Sequence, residues 1–167
     1  MTASADHEVV DRRRIELIEP GMSEAPIHYE SRRLDVAATA ALVATVRASV
    51  AQATSAALDE IAAALPAPVL SISLRAWPLH FPDDIAVQRR APYEARADAI
   101  MYRQELSELA HARDWKVHLY DAKAVVGQAV SMLAERADEV LQGPRATIGP
   151  PWTKDHRIAL AATIVAG

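Results

Sequence analysis

The stretch from Val36 to Leu65 holds neither glycine nor proline and lies between Asp35 and the breaker sequence Pro66-Ala-Pro68. Val36, Ala40, Val43, Val46, Val50, Ala57, Ile61 and Leu65 recur at steps of three and four. That spacing predicts one helix with an apolar face continued over about eight turns. Asp35 is its N-cap, with Leu34 in the staple position before it. Much of the remainder is alanine, which permits a close approach to a sheet or to a second copy of the helix.

Strands and helices alternate around this element. Residues 12–18 read as a first strand, stopped by Glu19-Pro20-Gly21, and 27–31 as a shorter strand pairing antiparallel with it. Residues 69–76 predict a strand with Leu70, Ile72 and Leu74 on one face and Ser71, Ser73 and Arg75 on the other. Residues 77–92, with three prolines and Asp83-Asp84, read as a long irregular loop. A second helix follows, with Ala95, Ala99, Tyr102, Leu106 and Leu109 on one face. Residues 116–121 predict a short strand, 122–141 a third helix and 143–152 a Gly/Pro loop. Thr153 then caps a last helix running nearly to Gly167. Strands separated by helices too long for hairpins argue for an α/β fold with a mainly parallel sheet. One domain over 1–167 is expected, with 1–11 as a flexible tail.

Composition narrows the function. The chain is 51% apolar and 24% charged, enough core and surface for a folded domain. It has no cysteine, which excludes disulfides and thiolate metal sites and fits a reducing, cytoplasmic setting. The first ten residues carry acids and no apolar core, unlike a secretory signal. The closing apolar run from Ile158 to Ala166 is far short of the roughly 20 residues that span a bilayer. Net charge is −4, with 18 basic against 22 acidic residues, whereas phosphate contacts usually demand a basic excess. Arg12-Arg13-Arg14, Arg32-Arg33 and Arg89-Arg90 are local basic clusters and read first as solvated surface. Nucleic acid is therefore a possible partner that net charge does not favour.

Two phrases carry the chemistry: Ile15-Glu-Leu-Ile-Glu-Pro-Gly21 and Pro150-Pro-Trp-Thr-Lys-Asp-His-Arg-Ile-Ala-Leu-Ala161. In this order and at this distance they resemble the opening and closing phrases of RuvC-type Holliday-junction resolvases, members of the ribonuclease H-like superfamily. The resemblance covers 15–166 and implies a ribonuclease H-like fold: an antiparallel edge ribbon, a mainly parallel sheet and flanking helices. That fold has three strands before its first helix, so a further strand within 1–11, or a trimmed sheet, is expected. The resemblance places Glu19 and Asp155 at magnesium positions, with His156 as a substitute ligand or proton carrier.

The carboxylate set is incomplete. Ser73 or Arg75 stands where the family's middle glutamate belongs, and Ile158 replaces its last aspartate. Glutamate at position 19 also adds a methylene, displacing its carboxylate by about 1 Å, and two-metal cleavage depends on ions about 3.5–4 Å apart. Each acid has a plainer reading. Glu19 fits a strand-to-turn exit, and Asp155 fits the first turn of a capped helix, favoured by roughly 0.3–1 kcal/mol. Asp121 reads as the N-cap of the helix after it, and Asp83 and Asp84 lie on a loop ill suited to holding a metal. The six histidines, His7, His28, His80, His111, His118 and His156, form no close pair at metal-ligand spacing. Trp77, Trp115 and Trp152 sit beside element ends, as plugs for the sheet margins.

Two readings follow. In one, the chain is a catalytically inactive RuvC-like binding or scaffolding module. In the other, it is a divergent magnesium-dependent nuclease acting on structured nucleic acid. The alanine-rich helix predicts more small apolar surface than a few short strands can cover, hence a homo-oligomer, a dimer first, with no membrane partner.

Overall fold

The computed structural model describes residues 1–167, and the chain divides into two compact units. One comprises Met1–Arg14, Leu65–Ala76 and Asp114–Gly167; the other comprises Ile15–Ala64 and Trp77–Arg113. The structure is mixed α/β with 53% helix, so the strands form a minor part of it.

In the first unit, β1 (Thr2–Ala3) and β2 (Val9–Asp11) form an antiparallel ribbon. Met1, Ala3 and Val9 pack against the unit's core, so 1–11 carry a ribbon where the sequence predicted a tail. The strands β3 (Ser71–Arg75) and β4 (Lys116–Tyr120) pair in parallel, Ser71 opposite Lys116 and Arg75 opposite Tyr120. The parallel sheet of the expectation is thus one pair of strands. The segment predicted as one helix over 122–141 is divided into α4 (Val125–Leu133), a 3-10 turn (Ala134–Arg136) and α5 (Ala137–Gln142). The break falls at Ala134, whose φ of 50° a continuing helix cannot use. A further helical turn, α6 (Pro144–Thr147), lies in the predicted Gly/Pro loop.

The last helix, α7 (Lys154–Ala166), is the centre of this unit. Leu160, Ala161 and Ile164 are fully buried with Val125 and Ala129 of α4. Ser73 Oγ donates to the Ala162 carbonyl at 3.0 Å, joining the helix to β3. Thr153 caps α7, as its sequence position predicts.

The second unit is built on α1 (Val36–Ala64), whose bounds match the predicted helix within a residue. Asp35 Oδ1 accepts from the Ala38 N–H at 2.7 Å, the expected cap bond. Val43, Val46 and Val50 are buried with Ile27 and with Ala97 and Met101 of α3 (Glu94–His111). A short helix, α2 (Ile85–Gln88), interrupts the predicted loop, capped by Asp84 Oδ1 on the Ala86 N–H at 2.7 Å. By length and composition α1 is one helix long and apolar enough to cross a membrane.

Three expectations fail in this unit. Residues 12–18 form no strand, and 27–31 form a turn leading into a 3-10 helix, Glu30–Arg32. The predicted ribbon between them is absent, and helix side chains hold part of the backbone in and beside the first segment. Thr54 Oγ1 donates to the Leu17 carbonyl at 3.3 Å, and Ser49 Oγ accepts from the Glu19 N–H at 3.1 Å. The buried face of α3 also differs from the predicted one. Ala95 and Ala99 are exposed, while Ala97, Ile100 and Met101 are buried together with two acids, Asp98 and Glu105.

Candidate functional site

Glu19 sits in a turn at the edge of α1, exposed, with its carboxylate beside a hydroxyl: Ser49 Oγ lies 3.4 Å from Oε2. Together with the bond from the Glu19 N–H, this makes Ser49 a two-point anchor for the turn. Asp155 is exposed in the first turn of α7, where its charge faces the unpaired N–H groups of the helix start. His156 is half-buried and occupies the third helical position. Its Nδ1 accepts from the Thr153 N–H at 3.1 Å, while Thr153 Oγ1 accepts from the His156 N–H at 3.4 Å, a reciprocal capping box. That bond assigns the neutral ring proton to Nε2. The ring also stacks on Trp152, centroids 5.6 Å apart and planes 11° from parallel, and Trp152 Nε1 donates to the Leu141 carbonyl at 3.0 Å. Arg12 donates to the carbonyls of Gly149 and Pro151, fixing the approach to this cap.

Asp155 and His156 therefore stand side by side on α7 in the first unit, while Glu19 belongs to the second. No three His, Asp or Glu side chains are grouped where they could hold a metal. Magnesium takes several oxygen ligands in octahedral order, and neither Glu19 nor the Asp155–His156 pair supplies such a set within its own unit. Asp121, the other acid at a strand end, closes a local turn by accepting from the Lys123 N–H at 2.8 Å. Ser73, at the family's middle position, is spent on the Ala162 carbonyl.

The second unit contains buried polar groups that the residue pattern alone did not single out. Asp98, 8% exposed, accepts from the backbone N–H groups of Ile27 and His28, both at 2.9 Å. Burial pushes its pKa up, against the opposing pull of those two donors and of nearby His28. Glu105, 7% exposed, accepts from Arg47 Nε at 2.5 Å, and Glu108 lies 3.8 Å from Arg47 Nη2. A signal for them does exist in the sequence. Asp98 and Glu105 are seven residues apart with Met101 between them, which places two acids on the core stripe of α3.

Beside these groups lies a cavity of about 190 Å³ between α1, α2 and α3. Ile27, Val43, Ala97 and Met101 form part of its wall; Arg47, Asp83, Gln88 and Gln104 also line it. No family model, curated protein or solved structure matches the chain.

Proposed function

We propose that the protein is a self-associating binding or scaffolding module, a trimmed relative of RuvC-type resolvases in which phosphodiester cleavage has been lost. One observation carries this reading. Two of the three candidate catalytic side chains are engaged locally, Glu19 against Ser49 and His156 in the cap of α7, while Asp155 is an exposed acid in the first turn of that helix. A catalytic carboxylate or imidazole is normally held by its surroundings and aimed at substrate; here His156 itself holds the backbone.

Self-association is supported by the outward face of α1. Ala37, Ala41, Ala44 and Ala48 are exposed at helical spacing along the first half of α1; beyond them Gln52, Asp59 and Glu60 make the same side polar, with Ala56 and Ala63 between. Alanine at these positions lets two helix backbones approach closely, and a twofold pairing makes the face its own complement. Sedimentation at micromolar concentration should give a dimer, and Ala44→Glu with Ala48→Glu should give a monomer. A wild-type monomer refutes the association. Loss of cleavage is tested with branched, duplex and single-stranded DNA and RNA in magnesium or manganese. No product is expected; metal-dependent cutting abolished by Glu19→Ala and by Asp155→Ala would overturn the reading.

A further inference from the structure

We propose that the cavity of the second unit is a binding site for a small organic cation, a primary ammonium carrying a short branched alkyl group. Size comes first. An apolar cavity of about 150 Å³ accepts a benzene ring, so about 190 Å³ suits a molecule of some six to eight heavy atoms. Shape and polarity come next. Ile27, Val43, Ala97 and Met101, all buried, supply apolar wall for the alkyl end, with Phe81 and Ile85 half-buried beside them.

The charge of the ligand follows from which polar groups are already engaged. Arg47 gives its Nε–H to Glu105 at 2.5 Å, with Glu108 3.8 Å from Nη2, so two carboxylates already offset its charge. Gln88 spends its amide N–H on the Pro82 carbonyl at 2.6 Å, which leaves its oxygen as an acceptor. The Asp83 side chain is exposed and makes no hydrogen bond or ion pair within the protein, and the Gln104 amide is likewise free. The one charged group of the lining without a partner is thus the Asp83 carboxylate, and the Gln88 and Gln104 amides of the same lining can accept as well as donate. An ammonium matches the unpartnered carboxylate with three donors and one positive charge; a carboxylate ligand meets a like charge at Asp83, and the cation of the lining, Arg47, is already paired with Glu105.

The test uses the full chain with its methionine methyl groups isotopically labelled and isopentylamine as the probe. The chain has 4 methionines, of which Met101 lines the cavity and Met132 is exposed in the first unit. Isopentylammonium should shift the Met101 methyl signal saturably, with a dissociation constant of about 1 mM, the range open to so small a ligand. Met132 should not move. Isovalerate, of the same shape but opposite charge, should leave Met101 unmoved. Asp83→Asn, at an exposed position that does not endanger the fold, should weaken the ammonium about fivefold, the worth of a solvent-facing ion pair. A Met101 signal indifferent to saturating isopentylammonium overturns the proposal. So does equal binding of isovalerate, or an unchanged affinity in Asp83→Asn.

Discussion

Asp98 offers the sharpest test of how the second unit is held together. Its carboxylate is buried on α3 and takes two consecutive backbone N–H groups, Ile27 and His28, each at 2.9 Å. Hydrogen bonds to a charged partner contribute about 1.5–3 kcal/mol each, and burying the carboxylate offsets part of this. Asp98→Ala leaves both donors unpaired and should cost about 2–4 kcal/mol in urea unfolding. Asp98→Asn keeps one acceptor but turns an amide N–H toward the other donor, so it should cost at least half as much. The pH dependence is more diagnostic. Burial raises the folded pKa of Asp98, so the folded state holds this proton more tightly than the unfolded chain does. Its stabilising contribution is then full below the ordinary carboxylate value and is lost as pH rises through the raised one. Acidification from pH 7 toward about 4 should therefore widen the stability advantage of the wild type over Asp98→Asn. An advantage that shrinks on acidification would refute the dominance of burial at this site.

Other substitutions probe the backbone and the polar interior. A Cβ at Gly143 would lie 2.3 Å from the Glu139 carbonyl oxygen, so Gly143→Ala should destabilise by about 1–3 kcal/mol in chemical denaturation. Gly127, inside α4 with open space around it, is the opposite case: Gly127→Ala should stabilise by about 0.5–1 kcal/mol. Both ring nitrogens of His118 are buried without a hydrogen-bond partner, so His118→Leu should raise stability by about 1 kcal/mol, and a loss of stability would contradict this. Thr153→Ala should cost about 1 kcal/mol by removing the cap of α7, measured in the same unfolding experiment.

Helix α1, strands β3 and β4, and the start of α7 were legible in the sequence because their signals are local. Apolar spacing and a cap aspartate define α1; alternation of side chains defines β3; Thr153 marks the first turn of α7. The candidate site was legible only as residue types. Glu19, Asp155 and His156 match positions of a nuclease phrase, yet the setting of Glu19 depends on Ser49, thirty positions away, whose hydroxyl could equally have faced solvent, and His156 turns its ring back to the Thr153 cap.

What the sequence determined by itself was the set of segments able to bury an apolar face at helical or strand period. Which partners they found was decided by tertiary structure. Residues 12–18 and 27–31 were expected as strands, but Thr54 takes the Leu17 carbonyl and Asp98 the N–H groups of Ile27 and His28, so helix side chains hold backbone groups that a ribbon would have paired. The buried face of α3 was decided in the same way, because two acids can enter a core only where donors await them. Asp98 meets the N–H groups of Ile27 and His28, seventy or more positions away in sequence, and Glu105 meets Arg47. A buried polar group must be satisfied by whatever the fold brings to it, and spacing along the chain carries no record of that partner.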